Sequence, residues 1–195
     1  AGTTNKILAN FANVILTAYP NCFKKNRNKL KLVGNPVRDE IQEIPAPNLR
    51  LLDRTQPVRI LILGGSRGAN FLNQQMPRLL AKISEKINLE IIHQCGANNL
   101  DNTSQNYLNY QNDNLKITVR EFIDNMTEVY HWADFAICRA GALTLAEIMA
   151  VGIGSLLIPY PIAVDDHQAY NAQYLVDNNA AIMVREKNFE IDNLS

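Results

Sequence analysis

No stretch of this sequence approaches the roughly 18 consecutive apolar residues that a membrane-spanning helix needs, and no secretory leader opens it. Neither sign of charge is in excess: 19 Lys and Arg face 19 Asp and Glu, for a formal net charge of zero. A polyanionic partner such as nucleic acid is therefore not expected. Cysteine is scarce, with Cys22, Cys95 and Cys138 widely spaced and forming no C-x-x-C pair. That excludes a disulfide scaffold and a thiolate metal site, and suggests reduced, structural, cytosolic thiols. His93, His131 and His167 lie far apart, none with a metal-ligand partner at helical spacing, so no metal is assigned. Asp165 and Asp166 are adjacent rather than in the D-x-D arrangement of a metal–nucleotide site, and one of them is expected to cap a helix at Gln168. Neither G-x-G-x-x-G nor a Walker loop is present.

What is present is alternation. At 195 residues and 47% hydrophobic content, the chain can bury one good core. From Val58 onward, short apolar runs occur at Ile60–Leu63, Leu89–Ile92, Leu115–Val119, Phe135–Cys138, Leu156–Ile158 and Ala180–Val184. Helical segments are predicted between them at Asn70–Ile83, Leu100–Tyr110, Met126–Trp132, Leu143–Val151 and Asp166–Val176. Six strands alternating with helices predict an α/β fold, a Rossmann-like parallel sheet with helices on both faces. Before Val58, Asn5–Ala12 reads as a helix and Val14–Ala18 as a strand. The basic stretch Tyr19–Lys31 fits either a solvated loop or contact with an anionic membrane surface. Leu32–Arg38 reads as a short strand and a turn fixed by Gly34 and Pro36, and the proline-rich Ile44–Pro57 as a linker. The chain opens without Met and closes on Ile191–Ser195, where a helix could start, so a piece of a longer protein is expected.

Ligands in such sheets bind at the carboxyl ends of strands. Two strand ends here lead through glycines into helices: Gly64-Gly65-Ser66-Arg67-Gly68-Ala69 and Arg139-Ala140-Gly141-Ala142. Such turns aim backbone N–H groups and a helix dipole at an anion, although the first is equally readable as a tight turn alone. Thr144-Leu-Ala-Glu147 fits a T-x-x-E capping box, in which both side chains only cap the helix. A carboxylate beside an anion site has a second reading, as acceptor for a ribose diol. The residues themselves reach a nucleotide- or phosphate-binding α/β domain, not a reaction.

Five motifs take the reading further: G-N-P-V-R at 34–38, G-G-S-R-G-A at 64–69, E-F-I-D-N-M at 121–126, C-R-A-G-A-L-T-L-A-E at 138–147 and D-H-Q-A-Y-N-A at 166–172. In this order they resemble the C-terminal half of the MurG family, bacterial GlcNAc transferases acting on undecaprenyl-diphosphate-linked muramoyl pentapeptide. The resemblance implies a two-domain GT-B glycosyltransferase. Residues 1–33 would be the last helix and strand of its acceptor domain, 34–57 the interdomain linker, and 58–195 the UDP-GlcNAc-binding domain, cut before a closing helix. The implied reaction is inverting transfer of GlcNAc from UDP-GlcNAc to the lipid-linked acceptor (lipid I to lipid II) in peptidoglycan synthesis. It would take place on the cytoplasmic face of the inner membrane, whose anionic surface the absent domain would touch. No cofactor, metal or nucleic acid is implied.

Matched residue by residue, Ala142, Leu143, Thr144 and Glu147 resemble donor contacts, with Glu147 accepting from the ribose. Ile123 resembles the residue whose backbone reads the uracil edge. Ser66 would meet the diphosphate, Gln168 with Asn171 nearby the GlcNAc hydroxyls, and Arg38 the interdomain cleft. The family's proposed general base lies outside the chain, so no catalytic residue is assigned. The loop Pro161-Ile162-Ala163-Val164 departs from a pattern that varies among relatives. Two other classes compete: the non-catalytic donor subunit of a split transferase, which would start just before Val58, and a UDP-GlcNAc epimerase, which needs cleft acids not found here. A nicotinamide dehydrogenase is disfavoured by the broken glycine fingerprint.

Overall fold

The computed structural model describes every residue except 1, 21, 24, 26, 66–68 and 162–165, together with the side chain of Arg27. Its main sheet is built from β3 (Val58–Leu63), β4 (Leu89–Gln94), β5 (Leu115–Arg120), β6 (Phe135–Cys138), β7 (Gly154–Leu157) and β8 (Ala181–Met183). All neighbours run parallel, in the order β5-β4-β3-β6-β7-β8. The order reverses between β3 and β6, as in doubly wound nucleotide-binding sheets. The six runs expected from hydrophobicity are the six strands, with no end shifted by more than two residues.

Strand alternation splits the core in two. Leu61 and Leu63 point to one face with Ala136, Cys138 and Leu157. There they meet α6 (Met126–Trp132), α7 (Ala142–Val151) and α8 (His167–Asp177) through Val129, Tyr130, Leu145, Ile148, Ala172 and Leu175. Ile60, Ile62 and Ile137 face the other way, toward α4 (Asn70–Ser84) and α5 (Leu100–Leu108). Pro77 lies inside α4, where it cannot donate to the Asn73 carbonyl one turn back. Asn106 Nδ2 fills the gap, donating to that oxygen at 3.3 Å.

The segment before Val58 is more structured than its composition predicts. α1 is Thr3–Leu8, and β1 (Ile15–Thr17) pairs in parallel with β2 (Leu30–Leu32) as a separate two-stranded sheet. Thus the second strand lies at the end of the basic stretch, earlier than expected. The stretch read as unstructured contains α3 (Pro47–Arg50), preceded by α2 (Asp39–Gln42). Arg50 is the reason this stretch is fixed: its buried guanidinium donates to the carbonyls of Tyr130 (3.3 Å), Ala133 (2.5 Å) and Val151 (3.5 Å). Arg54 adds an ion pair to Asp134 at 2.9 Å. Gly152 ends α7 with φ +70°, and a Cβ there would stand 2.7 Å from Pro47 Cγ. The expected helix stop is therefore also the seat of α3. Among the described residues, no helix is long and apolar enough to cross a membrane.

Candidate functional site

The strand order turns at the carboxyl ends of β3 and β6, the place where sheets of this kind bind their ligands. β3 runs into Gly64 and Gly65. A Cβ on Gly64 would lie 2.9 Å from Gln94 O and 3.1 Å from Ala69 N, and Gly65 has φ +81°. Glycine lets the chain turn back onto α4 at this distance. Ser66, Arg67 and Gly68 lie outside the described residues.

β6 continues through Arg139 and Ala140 to Gly141, the N-cap of α7. The first N–H groups of a helix have no intrahelical acceptor, and here they lie at that end of the sheet with the positive pole of the helix. Gly141 in the cap position corrects the capping-box reading. Thr144 is three residues inside the helix and Glu147 six, so the pair cannot close the reciprocal cap. Glu147 is engaged otherwise. Its Oε1 accepts from Arg38 Nη2 at 3.2 Å, and its Oε2 from the Tyr130 hydroxyl at 2.9 Å. Burial, followed by the adjacent Glu147 carboxylate, pushes the Tyr130 phenol far above its ordinary pKa. The hydroxyl is thus the donor and the carboxylate the acceptor.

Arg38 reaches Glu147 because the turn before it is tied down. Asn35 Nδ2 donates to Ala142 O at 3.0 Å, so G-N-P-V-R lies across the first turn of α7. Ile123 follows β5 and is 3% exposed, packed in the same core cluster as Tyr130 and Leu145. Leu143, by contrast, is exposed.

On the far side, Asn171 Nδ2 donates to Ala140 O at 3.2 Å, placing α8 against the turn before α7. Gln168, one turn earlier, accepts at Oε1 from the Tyr160 N–H at 2.9 Å. Asp166 holds the N-cap position of α8 with φ +51°, but its carboxylate makes no cap bond and pairs with Arg185 at 2.7 Å. Asp165 and the residues 162–164 lie outside the described residues. Arg139 is a structural clamp, donating to Ile158 O at 3.1 Å and pairing with Glu186 at 2.6 Å.

The structure thus brings Arg38, Ala142, Thr144 and Glu147 along the first two turns of α7, with Asn171 adjoining through Ala140. Sequence reasoning missed Tyr130. A tyrosine on a buried helix face is a usable signal, because its hydroxyl must find a partner. Among the described residues, no group of three or more His, Cys, Asp or Glu side chains could hold a metal ion.

Residues 59–195 match the family described as the glycosyltransferase family 28 C-terminal domain. A curated protein of Saccharophagus degradans, named UDP-N-acetylglucosamine–N-acetylmuramyl-(pentapeptide) pyrophosphoryl-undecaprenol N-acetylglucosamine transferase, is 43% identical over 96% of this chain and 46% of its own length. A Shewanella denitrificans protein of the same name is 41% identical over 100% of this chain and 52% of its own. The crystal structure of Acinetobacter baumannii MurG superposes with a TM-score of 0.84 at 36% identity, covering 100% of this chain and 53% of that one. The chain therefore spans about half the length of the relatives it matches.

Proposed function

Because this chain belongs to the glycosyltransferase family 28 C-terminal domain, we propose that it is the nucleotide-sugar-binding part of an N-acetylglucosaminyltransferase. The donor is UDP-GlcNAc and the acceptor the undecaprenyl-diphosphate-linked muramoyl pentapeptide, as in the names of its relatives. One observation carries the reading at the site. Glu147, a carboxylate in the second turn of the helix that starts at the switch point of the sheet, is fixed at both oxygens and does not cap its helix. Such an acceptor suits the two hydroxyls of a ribose whose diphosphate lies against the N-termini of α7 and α4.

In this reading the Ile123 backbone meets the uracil edge, Ser66 the diphosphate, and Gln168 with Asn171 the sugar hydroxyls. Ala142, Leu143 and Thr144 line the nucleotide, and Arg38 borders the cleft. As the acceptor hydroxyl attacks and inverts the anomeric carbon, UDP leaves with growing negative charge. A helix dipole and preorganised N–H donors stabilise that charge without reorganisation.

Residues 1–33 are the end of an acceptor-side domain, and 34–57 the connection to the domain at 58–195. Phe11 (82% exposed), Leu16 and Val33 present apolar surface on that segment, which the remaining half of such a protein would cover. The base, the acceptor site and contact with the anionic cytoplasmic face of the inner membrane belong to that half. The docked segment 34–57 and the sheet β1–β2 disfavour a split-transferase subunit starting near Val58.

The test is a titration of this chain with UDP by calorimetry or NMR. We expect a dissociation constant on the order of 0.1 to several mM, about −4 to −5.5 kcal/mol, and no transfer activity. Absence of UDP binding at 10-fold higher concentration, or GlcNAc transfer by this chain alone, would overturn the assignment.

A further inference from the structure

Glu147 has a second anchor that none of the five motif roles assigns. Tyr130 is 0% exposed, its ring held among Ile41, Leu145 and Ile148 of the α2–α6–α7 core. The ring cannot turn without breaking that packing, so the hydroxyl sits at a fixed point, 2.9 Å from Glu147 Oε2. The other anchor is of a different kind. The Arg38 side chain is 56% exposed, on a flexible stem that keeps water within reach, whereas that of Glu147 is 19% exposed. One partner is stiff and the other adaptable.

We propose that Tyr130 is a positioning residue for nucleotide binding: its hydroxyl sets the Glu147 carboxylate in the orientation that receives the ribose hydroxyls. The proposal rests on the reading of Glu147 given above. An ionised carboxylate offers about four lone-pair sites. Tyr130 and Arg38 take one each, leaving two, the number that a vicinal diol fills. Without the tyrosine hydroxyl, the carboxylate gains rotamer freedom, and ordering it again on binding costs affinity. The same hydroxyl keeps the ligand geometry within the narrow tolerance that a bidentate contact demands. The protonated state of the phenol, enforced by burial, keeps the direction of donation constant.

A purely structural tyrosine would also need a partner for its hydroxyl, so stability alone cannot test the idea. The discriminating readout is the ribose. This chain and its Tyr130→Phe variant are titrated by NMR with UDP and with 2′,3′-dideoxy-UDP, with thermal unfolding as a check on folding. The native chain should prefer UDP by about tenfold or more. Tyr130→Phe should weaken UDP by roughly three- to tenfold while leaving dideoxy-UDP within about twofold, narrowing the preference. In a Glu147→Ala background, Tyr130→Phe should change neither ligand further. Equal weakening of both ligands, or an unchanged preference in Tyr130→Phe, overturns the positioning role while the ribose reading of Glu147 stands. A native chain that binds UDP and dideoxy-UDP equally overturns both.

Discussion

Replacing Glu147 by alanine separates a ligand-binding carboxylate from a helix-stabilising one. The geometry sets the expected cost to stability. No cap is lost, because Gly141 holds that position. The ion pair to the half-exposed Arg38 is screened by water and contributes about 0–1 kcal/mol. The larger loss is at Tyr130, whose hydroxyl would be left without its acceptor in the core. An orphaned buried donor costs about 1–3 kcal/mol. Together the destabilisation should be about 1–4 kcal/mol, or roughly 3–12 °C in Tm at about 3 °C per kcal/mol for a chain of this size. Removing the orphan should return part of that: Glu147→Ala with Tyr130→Phe should be more stable than Glu147→Ala alone. UDP binding should not follow. Loss of a charged acceptor for two ribose hydroxyls should weaken it by roughly 1.5–3 kcal/mol, about 10- to 150-fold, in both the single and the double variant. Urea unfolding and NMR titration of the native chain and both variants decide the matter. If UDP affinity stays within twofold while Tm falls, Glu147 is a fold residue and the ribose is bound elsewhere.

Three further outcomes are expected. UDP binding should survive EDTA; a change beyond about tenfold, 1.4 kcal/mol, would show that a cation joins the site. His93 is buried, hydrogen-bonded to the Tyr107 hydroxyl at 2.8 Å, and burial holds its pKa down to about 3. The unfolded chain binds a proton near pH 6.5 that the folded chain refuses, so stability should fall as pH drops from about 6.5 toward 3. The loss should be about 2 kcal/mol by pH 5, read from urea midpoints at pH 7.5 and 5, and His93→Gln should flatten that slope; an unchanged slope refutes it. Gln168→Ala in the whole transferase should lower kcat/KM for UDP-GlcNAc by about 10- to 100-fold, with a smaller loss for the GalNAc donor and UDP affinity hardly moved. Equal losses for both donors and for UDP would mean that Gln168 serves the Tyr160 loop, which it already holds through Oε1.

Much of the sheet was legible because its signal is local. A strand buried on both faces must be apolar throughout, and Ile60–Leu63 or Phe135–Cys138 can be read without a partner in view. Helix ends were legible where a backbone conformation demands one residue type, as at Gly152. One failure is local, and the others have their cause in long-range pairing. Thr144 and Glu147 have the spacing of a capping box, but the spacing does not say which residue is the cap, and Gly141 took that place. One of Asp165 and Asp166 was expected to cap α8; Asp165 lies outside the described residues, and the Asp166 carboxylate meets Arg185, 19 residues away. The proline-rich stretch lacked periodicity because its order comes from Arg50, whose partners lie 80 to 101 residues away. Pairs with such separations leave no pattern in a single sequence.

The same separations show that the segment 34–57, proposed above as the interdomain connection, is also tied to α7. The matched family region begins at Arg59, yet Asn35 and Arg38 contact α7 from more than 100 residues away. Pro47 fills the space that Gly152 leaves open at the other end of that helix. Both ends of α7 are therefore held by the segment that precedes the sheet. A nucleotide that draws Glu147 toward its ribose must compete with or share the Arg38 contact. Arg38 lies in the same chain segment as Arg50, whose guanidinium is held by three carbonyls. On the proposed ribose reading of Glu147, donor occupancy and the setting of segment 34–57 are linked through one carboxylate, and the linkage is reciprocal: an effector that repositions Arg38 and changes nucleotide affinity by some factor has its own affinity changed by the nucleotide by that factor.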